Sequence, residues 1–261
     1  KIGIVTPPLL LEKNNFELSD IIFGLLLIGP LAAFVAIVFM KSMILIGTLP
    51  KKMSLDPWKA PIIAGFLCGI VGLFLDEVLG LGTQTLISVI TENLTITFLL
   101  TLLFFKLILT SCCIGFGFFG GTFSPALFLG GIIGALVFNV SFFDFQLNHL
   151  SVLAVSGMAA VSSSVIGAPI TAIILVLELT GSYEYAIAAT FPIVVCSFIT
   201  SRTFGNSLFD KQLLLRGVAI TKGREQIRLN EAIINTDIKN LDLISSTVNL
   251  SGLEVETATN E

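Results

Sequence analysis

The chain has 261 residues, 54% of them hydrophobic and 12% charged, with a formal net charge of −4 and a mean hydropathy of +0.97. A water-soluble domain carries roughly a quarter charged residues, so this composition excludes a soluble globular protein. The few charges sit in short loops and in the tail, and their small negative sum says little about partners.

The apolar residues fall in long blocks, Ile21–Met40, Ala60–Leu75, Leu94–Ile114, Phe123–Phe143, Val152–Leu179 and Ala186–Ile199. About 20 apolar residues span a bilayer as a helix, and runs of roughly 12–16 are short for it. The expectation is an all-α, multi-pass membrane protein in which several helices are too short to cross alone. Lys1 is not an initiator methionine and no leader-type segment precedes the first block, so the sequence reads as a fragment or as a chain whose start has been removed.

Residues 1–19, with Pro7-Pro8, read as a polar connector. Ser19-Asp20 can cap a helix that starts at Ile21, and Gly24, Gly29 and Pro30 predict that it bends or packs closely. This helix is expected to end near Lys41. A loop with Lys51, Lys52 and Lys59, broken by Pro50 and Pro57, follows, and its basic cluster places it on the cytoplasmic side. Pro61 opens the next helix, where Gly65, Gly69 and Gly72 form a small-residue face. That helix closes at Asp76-Glu77, a Gly-rich stretch runs from Leu79 to Thr85, and Leu86 to Glu92 is short and amphipathic. Leu94–Ile114 is long enough to span. Lys106 near its middle is costly in hydrocarbon, so it should face protein, water or a carboxylate partner; the alternatives are a role in an ion pathway and a structural pairing or snorkelling role.

Gly120-Gly121-Thr122-Phe123-Ser124-Pro125 precedes the apolar run Ala126–Val140. The Gly pair frees the backbone to turn, and Pro125 fits a first helical turn, where a missing N–H costs nothing. The first N–H groups of the following helix lack intrahelical partners, and their partial positive charge suits an anion without any cationic side chain. A helix that starts inside a membrane protein behind such a break is a common transporter device. The alternative is a Gly-Pro loop at the membrane surface before an ordinary spanning helix. Gly130, Gly131 and Gly134 thin one face of this helix.

Phe142 to His149 reads as an aromatic and polar loop with His149 at a surface. Val152–Ser164 and Ala168–Leu179 are two short helices broken at Ile166-Gly167-Ala168-Pro169, a hairpin dipping into the membrane; such breaks survive at depth only when packed in protein or lining a cavity. Glu178 closes the second, near Thr180-Gly181. Tyr185–Thr200, with Pro192 inside it, is the last strongly apolar helix, and Leu208–Leu215 a short segment. Arg216, Lys222, Arg224 and Arg228 place the tail on the same side as Lys51 and Lys52, the cytoplasmic one. Residues 218–261 are polar and too few for a stable domain.

The four cysteines, Cys68, Cys112, Cys113 and Cys196, lie in apolar blocks without metal-ligand spacing, and adjacent Cys112 and Cys113 read as packing residues. No phosphate-binding loop, His/Cys cluster, Ser/His/Asp set or basic aromatic stripe is present, so no cofactor, no metal, no nucleic acid and no enzymatic chemistry is expected. Asn93-Leu94-Thr95 fits a glycosylation pattern that is common by chance.

The order of these pieces resembles a known family. Gly-Gly-Thr-Phe-Ser-Pro-Ala-Leu at 120–127 is similar to the G-x-F-x-P motif of the CLC family of chloride channels and proton-coupled chloride transporters. Gly157-Met158-Ala159-Ala160, Ala168-Pro169-Ile170-Thr171 and Val176-Leu177-Glu178-Leu179-Thr180 resemble its next segments in order and spacing. Gly205-Asn206-Ser207-Leu208-Phe209-Asp210 resembles the region where the family usually carries a tyrosine. The match runs from about Ile21 to Gly217 and corresponds to the second half of the family's membrane domain only.

The resemblance implies a CLC-type inverted-repeat bundle of short, tilted and discontinuous helices, of which this chain carries the C-terminal repeat, and a homodimer with one anion path per subunit. The expected domains are a connector (1–19), a transmembrane anion-transport domain (20–217) and a cytoplasmic tail or the start of a truncated regulatory domain (218–261). The expected activity is passive or proton-coupled transport of chloride or a similar small anion, with protons as the second partner if the parent exchanges. The expected anion site comprises Gly121, Thr122, Phe123, Ser124, Pro125 and Phe209. In the family, amides at the second and third motif positions, here Thr122 and Phe123, contact the anion. Phe209 lacks the hydroxyl that the family tyrosine would donate, so weaker central binding or looser coupling is expected. The family's gating glutamate, proton-transfer glutamate and serine-bearing anion loop belong to the other half. The competing readings are another secondary transporter for a small organic anion, a fluoride-selective CLC-type exchanger, and a non-transporting scaffold.

Overall fold

The computed structural model describes residues 18–54, 56, 58–139, 145–205 and 207–215, with the backbone of 233–235 and 242–244. Residues 1–17 of the expected connector (1–19), residues 142–144 of the expected aromatic and polar loop, and the basic tail cluster from Arg216 onward lie outside the described residues.

Among the described residues nine α-helices run in chain order: α1 (Leu18–Lys52), α2 (Lys59–Gly72), α3 (Thr83–Thr91), α4 (Ile96–Gly115), α5 (Phe123–Phe138), α6 (Leu147–Ile166), α7 (Pro169–Thr180), α8 (Tyr183–Thr203) and α9 (Leu208–Leu215), with a 3-10 turn at Asp76–Val78. They belong to one compact unit that ends at Gly217. Residues 218–261 form a second unit, in which β1 (Ile233–Asn235) and β2 (Asp242–Ile244) pair antiparallel with Ile234 opposite Leu243. The weak apolar pattern from Ile227 to Leu243 in this polar tail does not by itself indicate these strands.

α1, α4, α6 and the Tyr183–Leu215 stretch are long and apolar enough to cross a membrane, whereas α2, α5 and α7 are shorter apolar helices. Large apolar side chains such as Phe23, Phe34, Phe66, Phe74 and Phe198 point outward. An exposed apolar surface of this kind is stable only against lipid or another protein surface.

α6 is the central post, buried without interruption from Val152 to Val165. α5 lies against it at backbone distance. A Cβ on Gly130 would run into the Gly157 carbonyl, one on Gly157 into the Gly130 carbonyl, and one on Gly134 into the Leu153 carbonyl. The glycines thus bring the two backbones into contact, gaining close packing where the hydrophobic effect gives no drive between lipid-embedded helices. α1 and α8 pack on each other and on α6, and a Cβ at Gly29 would lie 2.6 Å from Val195 Cγ1. Ser162 and Ser163 donate their hydroxyls back to the carbonyls of Ala159 (3.2 Å) and Ala160 (2.8 Å), so two polar groups in this core are satisfied within their own helix.

Five expectations change. α2 closes at Gly72 and not at Asp76-Glu77, which lie in a separate 3-10 turn. α1 does not end near Lys41: the run Met43–Leu49 is apolar apart from Gly47 and Thr48, and the helix continues through it and through Pro50 to Lys52, with Pro30 also inside it. Ser19 and Asp20 therefore lie in its first turn rather than before it. α6 begins at Leu147, five residues earlier than expected, and its 20 residues can cross a membrane. His149 consequently falls in the first helical turn and is buried, with its ring edge-on to Phe145 at 6.1 Å between centroids. The break at 166–169 is present, with Gly167 left-handed at φ +83°.

The glycine contact gives a direct test. Gly157→Val forces side-chain atoms into the α5 backbone and should cost more than the ~1–3 kcal/mol of ordinary overpacking. Loss of the monodisperse peak in detergent gel filtration is the expected outcome. Gly121→Ala, whose added Cβ would meet no atom within 4 Å, should elute like the unaltered protein.

Candidate functional site

The site begins where α4 ends. Phe118 N–H bonds the Cys113 carbonyl at 2.9 Å and Gly117 N–H bonds that of Ile114 at 3.2 Å, closing α4 so that the chain can turn away. After Gly120-Gly121, Thr122 stands at the N-cap of α5 and Phe123 is its first residue. The first intrahelical bond is Ala126 N–H to the Thr122 carbonyl at 3.2 Å. Pro125 has no N–H, so the N–H groups of Thr122, Phe123 and Ser124 are left without intrahelical acceptors. The Thr122 side chain does not cap them: its Oγ1 is buried and makes no hydrogen bond.

Two hollows flank this helix start. The first, of about 360 Å³, is lined by Gly120, Gly121, Ser124 and Pro125 together with Lys106 and the loop at Leu79–Leu81. The second, of about 210 Å³, is lined by Phe123, by Ser162 and Ser163 of α6, and by Ala168 and Thr171 at the start of α7. The expected site residues are thus divided. Gly121, Ser124 and Pro125 face one hollow and Phe123 the other. Phe209, half exposed on α9, lines neither.

Phe209 is nevertheless anchored close to the α6–α7 break. Ser207 N–H donates to Asp210 Oδ2 and Asp210 N–H to Ser207 Oγ, both at 3.3 Å, which is a capping box at the start of α9. A Cβ on Gly167 would lie 2.7 Å from Ser207 Cβ, so this cap rests on the elbow between α6 and α7.

The strongest feature of the first hollow is Lys106. It is only 2% exposed, and its Nζ donates to the carbonyls of Val78 and Gly80, each at 2.9 Å, while lying 4.7 Å from the Phe128 ring centre. No carboxylate pairs with it among the described residues. Gly80 and Gly82 adopt left-handed φ values of +60° and +67°, which side-chain-bearing residues rarely take, and the loop between them curls around the ammonium. The Leu81 carbonyl of the same loop accepts from Ser124 Oγ at 3.4 Å. One loop therefore holds both the buried cation and the start of α5. A full positive charge and a helix N-terminus border one cavity, an arrangement suited to anions and hostile to cations.

Of the expected partners for Lys106, the structure gives protein: the main-chain carbonyls of Val78 and Gly80. The pairing was hidden because its acceptors are main-chain carbonyls 26 and 28 residues away, which no side-chain pattern reveals. The Gly80–Gly82 spacing was the available signal. Glu178 lies in the last turn of α7, ahead of Gly181, which caps the helix at φ +66°. Among the described residues there is no His/Cys/Asp/Glu group suited to a metal ion.

The sequence profile described as voltage gated chloride channel matches residues 4–202. The chain is 33% identical over 168 residues to the H(+)/Cl(-) exchange transporter ClcA of Vibrio parahaemolyticus, an alignment covering 63% of this chain and 35% of that protein. It is 34% identical over 122 residues to the ClcA of Salmonella arizonae, covering 46% and 26%. The chain's alignments span 35% and 26% of the length of these curated relatives. Among solved structures it is similar to a slow cyanobacterial Cl-/H+ antiporter, with a TM-score of 0.66 at 24% identity over 78% of this chain and 49% of that one. A CLC-type fluoride/proton antiporter gives a TM-score of 0.63 at 24% identity, over 77% and 49%. The all-helical fold expected for the membrane-embedded part is thus the fold found there; the paired strands belong to the second unit.

Lys106→Met removes both donors to the Val78 and Gly80 carbonyls while keeping much of the side chain's bulk. Leaving buried acceptors unpaired costs about 1–3 kcal/mol. Hydrogen exchange followed by mass spectrometry should accelerate over residues 76–82 and stay unchanged across α6.

Proposed function

Since the chain belongs to the voltage gated chloride channel family and is an integral membrane protein, we propose that it forms part of a pathway carrying chloride or a similar small anion across the membrane. The start of α5 is one wall of the anion site. The observation that carries this reading is the shared border of the first hollow. The α5 N-terminus, with unpaired N–H groups, and the Lys106 ammonium, without a carboxylate, face the same space.

An anion in that space gains from both, and it needs no counter-charge from the described chain. Gly121, Ser124 and Pro125 line this hollow, and Phe123 lines the next. An anion moving from one to the other passes the N–H groups of Thr122 and Phe123. The second hollow is chiefly apolar, and the hydroxyls of Ser162 and Ser163 that border it are turned to their own helix. It therefore offers no strong resting place, which favours passage over retention. Phe209 sits by the elbow that borders this second hollow, and a phenyl ring there withholds a hydroxyl donor from the passing anion.

The relatives are named as H(+)/Cl(-) exchange transporters, which supports proton-coupled exchange as the transport mode. A homodimer with one path in each subunit, and the boundaries 1–19, 20–217 and 218–261 with a cytoplasmic tail, belong to the same proposal.

Efflux from liposomes containing the full-length protein tests it. Chloride efflux is expected, with proton movement under an imposed chloride gradient. Phe123→Pro, which adds a second ring at the helix start, should abolish it, and Lys106→Gln should slow it by about tenfold through loss of the attracting charge. Efflux of an organic anion without chloride would assign the path to a different substrate, fluoride efflux without chloride would assign it to the fluoride-selective branch, and no efflux at all would leave a scaffold. In calorimetry, Phe209→Tyr should tighten anion binding roughly tenfold, the worth of one hydrogen bond to a charged group at about 1.5 kcal/mol. No gain would remove Phe209 from the site.

A further inference from the structure

Two thiols from different helices meet at the wall of the first hollow. Cys68 on α2 and Cys113 on α4 bring their Sγ atoms to 3.1 Å, and both are half-buried residues that line the 360 Å³ space. Cys112 does not line that space, and Cys196 is buried elsewhere against Ser164 Oγ at 3.0 Å. A disulfide needs sulfurs about 2.05 Å apart, so an approach of roughly 1 Å joins this pair. The surroundings permit that movement. α2 packs chiefly on α4 and on the 3-10 turn, and along its length Ile62, Ile63, Phe66 and Ile70 stay exposed. It is held by few neighbours in the bundle, and the hollow gives a small reagent access to the sulfurs.

We propose that Cys68 and Cys113 form a reversible dithiol–disulfide site whose oxidation staples α2 to α4 and stiffens the wall of the anion hollow. The oxidant class is a hydroperoxide. One thiol attacks a peroxide oxygen, breaking the O–O bond and giving a sulfenic acid and water. The second thiol then displaces the sulfenic oxygen as a second water, leaving the S–S bond. In total two thiol hydrogens and two electrons pass to hydrogen peroxide, which is reduced to two waters. A dithiol reductant reverses the step by thiol–disulfide exchange. Lys106, Gly121 and Ser124 line the same hollow, so fixing α2 against α4 acts directly on the space that the anion is proposed to occupy.

The covalent site stands independently of the anion reading; only its effect on flux rests on that reading. The full-length protein in liposomes is treated with hydrogen peroxide, alkylated and mapped by mass spectrometry, and its chloride efflux is measured in parallel. Expected are a Cys68–Cys113 linked peptide, two fewer alkylated thiols, and reversal by dithiothreitol. Cys68→Ala, Cys113→Ser and Cys113→Ala should each lose the link, and Cys112→Ser should keep it. Efflux should change by roughly fivefold on oxidation, the lower range of coupling between linked sites, and not in Cys113→Ser. Separate sulfinic or sulfonic acids without a link, or a link through Cys112, would overturn the site. A link that leaves measurable efflux unchanged would overturn its control of the hollow. The mass readout holds even in protein that passes no chloride, so failure of the transport reading and failure of the thiol site are distinguished.

Discussion

A lone ammonium inside an apolar bundle has to be held by something, and here main-chain carbonyls hold it. Lys106 donates to Val78 and Gly80, and the aromatic face of Phe128 takes up part of the remaining charge. Such a charge, unsolvated, would be far too costly to keep, so the loop that curls around it is fixed by electrostatics more than by packing. That loop also accepts from Ser124, and through this contact the position of α5 depends on the position of the cation. Remove the clasp and the first hollow loses its charge and one of its walls together.

The second constraint is steric and lies at the other end of the same helix. α5 is pinned to α6 by backbone-to-backbone contact at Gly130, Gly134 and Gly157, while α6 is enclosed by α1, α7 and α8. The rigid post and the charged loop together fix where the N-terminus of α5 stands. A binding site made of backbone N–H groups has no rotamers to adjust, so its precision comes entirely from the elements behind it. The buried packing of α6 and the outward phenylalanines of α1, α2 and α8 are two sides of this division between a fixed interior and an apolar exterior that suits lipid or another protein surface.

Much of this was legible in the sequence where a local signal existed. The start of α5 followed from Gly-Gly and Pro125, the α6–α7 elbow from Gly167 and Pro169, and α9 from its flanking Gly205 and Ser207. The end of α1 was misplaced at Lys41 because a single charge does not stop a helix, and neither Gly47 nor Pro50 beyond it does so either: α1 carries both inside it. The start of α6 was late for a related reason: Asn148 and His149 look like loop residues, yet the first turn of a helix tolerates polar side chains readily. The partners of Lys106 and the approach of Cys68 to Cys113 were invisible, since both depend on how distant segments meet. The division of the expected site residues between two hollows is likewise a matter of helix phase about α5, which the motif alone does not settle.

The contact between Gly130 and Gly157 has a consequence for how this chain can vary. In most packed interfaces a larger residue on one helix can be accommodated by a smaller one opposite, so a harmful change can be repaired by a second. Here each glycine already is the smallest residue, and each would collide with the carbonyl of the other, which no substitution can shorten. Neither position has a compensating partner. Drift along α5 and α6 must therefore pass around this pair, which acts as a fixed point from which both helices take their register.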